Sequence, residues 1–100
     1  MQEMKFYIDT HDHRSSTFPA GISKEQFHEF FSQYEKASRE DGVIVLRAHV
    51  GLADGRAYCF NMAPSAEHVR LAHEHAGLPF ESITEVATAT PGDLSFTPKA

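Results

Sequence analysis

Apolar residues alternate singly at the start of this chain, two adjoining β-rich runs lie near its middle and a shorter one lies toward its end. The two stretches in between follow helical spacing. That order constrains the fold more than any other feature. Residues 4–9 (MKFYID) place Met4, Phe6 and Ile8 on one side of a first strand and Lys5, Tyr7 and Asp9 on the other. Residues 10–22 are rich in Ser, Thr, Pro and Gly and read as a long loop. Ser23 followed by Gln26 forms a capping box, so a helix starts there; its stripe is Phe27, Phe30, Phe31 and Tyr34, and Gly42 stops it. Residues 43–52 and 56–62 are β-rich and flank Ala53-Asp54-Gly55, which suits a three-residue hairpin loop with Gly55 left-handed. Such a loop sets Leu52 opposite Arg56, His49 opposite Cys59 and Arg47 opposite Asn61. Ser65 caps a second helix with Ala66, Val69, Ala72, His73 and Ala76 on one stripe, ended by Gly77 ahead of Pro79, and residues 82–88 form the last strand.

Strand, helix, hairpin, helix, strand is the split β-α-β pattern. Right-handed crossovers turn it into an α+β, ferredoxin-like β-α-β-β-α-β fold: a four-stranded antiparallel sheet in the order 4-1-3-2, with both helices on one face. Residues 1–88 make a single domain and residues 89–100 a C-terminal tail or arm. The face away from the helices is expected to carry Tyr7, Asp9, Arg47, His49, Cys59, Asn61 and Glu85 beside Val43, Val45, Ala57 and Ile83. A face of that mixed character is commonly closed against a second copy, so a homodimer of the dimeric α/β barrel type is expected.

Composition narrows the function. The chain has 100 residues, 41% of them hydrophobic, and a formal charge of -5 without a basic stripe, which argues against nucleic-acid binding. No apolar run approaches a membrane span, and MQEMKFYID lacks the basic and apolar regions of a signal peptide, so the expected location is cytoplasmic. Cys59 is the single cysteine and forms no internal disulfide. Histidine, with seven residues, is the compositional outlier.

Neutral imidazole, thiolate and carboxylate are what nickel, zinc or copper accepts. Asp9, His11 and His13 follow strand one at alternate positions, and the expected hairpin makes Cys59 and His49 cross-strand neighbours. In the bland reading Asp9 and His11 make turn hydrogen bonds, His73 is a core histidine on an apolar stripe, and Cys59 is an inert buried thiol. No metal motif of fixed spacing and no Gly-rich phosphate loop is present. A second class of function is a small-molecule binder or enzyme that uses the open cleft, with Tyr7, Arg47, His49 and Glu85 as polar anchors; for Arg47 and Glu85 the bland reading is an interface ion pair.

Three blocks then carry a family resemblance: Ile8-Asp9-Thr10-His11-Asp12; Ala57-Tyr58-Cys59-Phe60 followed by Ala63-Pro64-Ser65; and Ala76-Gly77-Leu78-Pro79-Phe80 with Ile83-Thr84-Glu85-Val86. Over residues 4–88 the chain resembles a family of small bacterial ferredoxin-like proteins of unknown function, some members of which are described as nickel-binding. The resemblance implies dimers and a metal function, and it carries Asp9, His11, Cys59 and Glu85 as matching positions; the stretch 13–20 is longer and the second helix richer in histidine than the pattern. The resulting expectation is binding, rather than catalysis, of a divalent transition metal on the open sheet face. Nickel comes first, zinc or copper next, held by His11 with some of Asp9, His49, Cys59, His73 and Glu85.

Overall fold

Every element expected from the pattern is present. The computed structural model describes residues 3–92, with β1 at Lys5–Asp12, α1 at Lys24–Glu40, β2 at Ile44–Gly51, β3 at Arg56–Ala63, α2 at Ala66–Ala76 and β4 at Ser82–Val86. The sheet runs β2-β3-β1-β4 with antiparallel pairing throughout, the expected order read from the other edge. Residues 93–100, most of the expected tail, lie outside the described residues. Among the described residues no helix is long and apolar enough to cross a membrane.

Local chemistry sets the helix ends. Ser23 Oγ accepts from the Gln26 N–H while the Gln26 side chain accepts from the Ser23 N–H, so both orphan donors at the start of α1 are satisfied. Gly77, left-handed at φ 70°, closes α2, and Leu78 N–H donates back to His73 O at 2.9 Å. Strand β1 runs on through Asp12, beyond the expected end at residue 9, because His11 and Asp12 still pair with Ala57 and Arg56 of β3. Asp9 and His11 therefore stay in regular alternation and point to the same side.

That side is the helix-covered one, and the expected assignment of faces is inverted. Tyr7, Val43 and Cys59 belong to the core cluster with Ala63, Val69 and Ala72, while Asp9 and Asn61 are fully buried beside them. The outer face carries Phe6, Ile8, Phe60 and Met62, with Ile44 and Tyr58 exposed at 48% and 39%. Both faces are apolar enough to be a core. The side chains of Tyr34 and His73 decide between them, because only the Asp9 face offers hydrogen-bond partners to polar groups on the helices.

The hairpin register differs as well. The loop spans Leu52–Gly55, one residue longer than expected, so Gly51 pairs with Arg56, Ala48 with Cys59 and His49 with Tyr58. A bulge at Leu46 shifts the pattern again: Val45 pairs with Asn61, but Arg47 pairs with Phe60. A slip of one residue turns every side chain to the opposite face. Arg47 and His49 consequently stand on the outer face, with the Arg47 guanidinium 4.9 Å over the Phe60 ring, and are separated by the sheet from Cys59.

Gly55 holds this register. Its φ is +66°, its carbonyl accepts from His13 N–H at 2.9 Å, and a Cβ there would stand 2.5 Å from His13 Cδ2. Gly55→Ala is expected to destabilise the fold by about 1–2 kcal/mol from the left-handed backbone alone. A urea midpoint unchanged from the parent protein would show that the turn does not need glycine.

Candidate metal centre

Four elements deliver polar side chains to one buried point between sheet and helices. Strand β1 contributes Asp9 and His11, β3 contributes Asn61, α1 contributes Tyr34 and α2 contributes His73. Asp9 has no solvent exposure. Its Oδ1 lies 2.7 Å from His11 Nε2 and 3.0 Å from His73 Nε2. Its Oδ2 accepts from Asn61 Nδ2 at 2.6 Å and from the Tyr34 hydroxyl at 3.3 Å, a hydroxyl that also reaches Asn61 Oδ1 at 3.1 Å. The Tyr34 ring lies against His73 with centroids 4.4 Å apart and fixes the imidazole plane.

The far nitrogens of both imidazoles face backbone carbonyls. His11 Nδ1 donates to Pro79 O at 2.8 Å, with Thr17 O at 3.3 Å, and His73 Nδ1 donates to Val69 O at 2.8 Å, one turn back in its own helix. A carbonyl only accepts, so each Nδ1 must carry a proton. Each Nε2 is then a donor only if the ring is cationic; in the neutral ring it presents a lone pair to the carboxylate. Two imidazolium rings around one carboxylate would bury excess positive charge, and a neutral ring sets lone pair against lone pair.

The electrostatics follow from burial and pairing. Burial alone would raise the Asp9 carboxyl, but hydrogen bonds from His11 and His73 and their charge bring it down to about 2. For His11, burial pushes downward, and the Asp9 hydrogen bond and charge together with the Pro79 and Thr17 carbonyls outweigh it, so its pKa rises. Burial and the Asp9 carboxylate push the Cys59 thiol well above its ordinary range, and burial does the same to the Tyr34 hydroxyl, which stays a neutral donor.

This donor set fits a transition ion. Asp9, His11 and His73 each offer a ligand atom, all within 4.8 Å of one another. Bonds of about 2.0–2.2 Å meeting near right angles separate neighbouring ligand atoms by about 3 Å. The two Nε2 to Oδ1 distances, 2.7 and 3.0 Å, are already close to that. An ion would take the place of the Nε2 protons and remove the conflict between the rings. Carbonyls on the outer nitrogens are the partners that orient metal-bound histidines in general.

Of the residues singled out in the sequence, Asp9, His11 and His73 come together, on the opposite side of the sheet from the one expected. Cys59 pairs with Asp9 across the β1–β3 ladder and is buried, outside the three-residue cluster. Tyr7 is a core residue, and Glu85, its partner in β4, is exposed at the sheet edge. His49 and Arg47 belong to the outer face. Tyr34 and Asn61 hold Asp9 Oδ2 in roles that their sequence positions do not announce. The one available signal was a hydroxyl at the end of an otherwise phenylalanine stripe, which calls for a buried acceptor.

Fold and site together define a ferredoxin-like α+β protein with a buried histidine–carboxylate cluster between its sheet and its helices. Residues 7–86 match the family described as nickel responsive protein SCO4226-like, and the chain belongs to that family. It is similar to the crystal structure of SCO4226 from Streptomyces coelicolor A3(2), with a TM-score of 0.74 and 28% identity, covering 85% of this chain and 99% of that one. No curated protein matches the chain.

The cluster makes the metal-free protein sensitive to pH at both ends. The folded Asp9 value near 2 lies below its ordinary 3.8, so its contribution is full above 3.8 and vanishes as pH falls toward 2; the difference amounts to about 2 kcal/mol. The folded His11 value lies above 6.5, so its contribution is full below 6.5 and fades as pH rises through the folded value. Denaturation of chelator-treated protein should show a plateau between these limits, and Asp9→Asn should flatten both flanks. Superimposable profiles for the variant and the parent would exclude Asp9 as the group responsible.

Proposed function

We propose that this protein binds a divalent transition metal ion, nickel in the first place, through Asp9 Oδ1, His11 Nε2 and His73 Nε2. One observation carries the reading: backbone carbonyls claim both Nδ1 atoms, and the two Nε2 atoms left over converge on a single carboxylate oxygen. The family description, nickel responsive, supports nickel over zinc or copper, which accept the same nitrogen and oxygen donors. Three protein donors leave further coordination positions to water or to a small donor. Cys59 would join only as a thiolate, a form that its burial and the neighbouring carboxylate disfavour.

The same reading includes assembly. The outer sheet face carries Ile44, Tyr58, Phe6 and Phe60, the last two stacked at 5.6 Å. We propose that it is covered by the same face of a second copy, which makes Arg47 and His49 interface residues. An apolar face of that size on a half-covered sheet favours pairing.

Titration of chelator-washed protein with nickel by calorimetry is expected to show saturable uptake of a single ion per chain with proton release at neutral pH. His11→Ala and His73→Ala should abolish it, whereas Tyr34→Phe should weaken it by about 10- to 100-fold with the stoichiometry unchanged. Nickel uptake by His73→Ala equal to that of the parent would sink the assignment. For the assembly, sedimentation equilibrium should give a dimer that Ile44→Lys converts to monomer. A parent protein that is monomeric across the concentration range would rule the interface out.

A further inference from the structure

No residue in the amino-terminal half of α1 is buried. Only Tyr34 and Ser38, in its second half, are buried, while Phe27, Phe30 and Phe31 on the same inward stripe remain partly exposed. These three rings face a cavity of about 430 Å³. Its other walls come from Phe18 and Ile22 of the 13–23 loop and from Leu78. Its inner end is formed by Ala57, Cys59 and the outward edges of His11, His73 and Tyr34, and the exposed residues Ser16, Ala20 and Pro79 stand at its mouth.

Protein interiors close gaps much smaller than this. An apolar cavity of about 150 Å³ already stays dry and takes up benzene, and ligand pockets generally begin at about 300 Å³. We infer that this cavity is a binding site for a small, uncharged, planar aromatic molecule. Shape and chemistry both point that way. Phe18, Phe27 and Phe31 form a continuous aromatic wall, with centroids 6.2 Å apart for the first pair and 6.0 Å for the stacked second pair. At such spacings ring faces and edges offer stacking to a flat guest. The polar atoms at the inner end are already engaged: His11 and His73 pair with Asp9 and backbone carbonyls, and the Tyr34 hydroxyl binds Asp9 and Asn61. A charged guest would lose its hydration there without gaining a partner. The site borders the proposed metal ligands but does not depend on an ion.

The test uses N-phenyl-1-naphthylamine, a neutral aromatic probe that brightens in apolar surroundings, with the chelator-treated full chain. The chain has no Trp, so background emission is low. Expected are saturable brightening with a single site per chain, displacement by indole, and displacement by benzoate weaker by about tenfold or more. Ala57→Leu, which fills the inner end, and Ala20→Trp, which blocks the mouth, should each weaken probe binding by about tenfold or more. Ala20 is exposed, so the second variant keeps the test valid if the first fails to fold. Absence of saturable brightening overturns the inference, as does brightening that survives Ala20→Trp and disappears in Ile44→Lys, which would put the probe on the outer sheet face. Benzoate displacing the probe as well as indole overturns the uncharged class. Nickel uptake without probe binding defeats this inference alone, and probe binding without nickel uptake defeats the metal reading alone.

Discussion

One buried carboxylate organises this molecule. Asp9 has no contact with solvent, and placing a charge in such a position costs several kcal/mol unless partners replace its hydration. The partners come from β1, β3, α1 and α2, so the carboxylate is satisfied only when both helices and the central strands are docked together. Small residues permit the approach: Ala63 on β3 and Ala72 on α2 are fully buried, and with Val69 they let α2 lie close enough to the sheet for His73 to reach Asp9. Dispersion and apolar burial hold the layers together, and the polar network specifies which face of the sheet the helices cover.

That division of labour explains what could be read from the residues and what could not. Element order, the Ser23–Gln26 box, the Gly77 stop and the sheet order depend on local rules and are all found as expected. The face depends on a comparison between two apolar surfaces, and hydrophobicity alone favours the wrong one, because Phe6, Ile8 and Phe60 outrank Tyr7, Asp9 and Asn61. Membership of the Asp9 face was largely legible, since Tyr7, Asp9, Cys59, Asn61, Val43, Val45, Ala57 and Ile83 share a side. Arg47 and His49 were misplaced for a separate reason: neither the Leu46 bulge nor the fourth loop residue leaves a signature as plain as that of Gly55.

The same register change separates two roles that one strand pair would otherwise mix. Before the bulge Val43 and Val45 point inward; after it Ala48 does, and the polar Arg47 and His49 are carried outward. Had the pairing continued from Val45 without a bulge, Arg47 would lie opposite Cys59 and His49 opposite Ala57, and a guanidinium and a further imidazole would crowd the inner layer. The bulge thus keeps the inner site to three donors and carries Arg47 and His49 to the outer face, with the Arg47 guanidinium stacked on Phe60. Inner and outer surfaces can then bind different things without sharing a side chain.

Within the inner layer, by contrast, sharing is unavoidable. His11 and His73 are the nitrogen donors of the cluster and also part of the cavity's inner end. An occupant of the cavity that supplied an atom to a bound ion would favour ion uptake; one that only pressed the rings away from Asp9 would oppose it. Linkage requires the ion to alter the occupant's affinity by the same factor and in the same direction. The hinge of that coupling is small, because the imidazoles are fixed at their outer nitrogens by Pro79 O and Val69 O and can turn only about those bonds. Any other movement that spoils the Nε2 geometry would break one of those bonds, so each ring would answer an occupant together with the segment that holds it, His11 with Pro79 and His73 with its own helix.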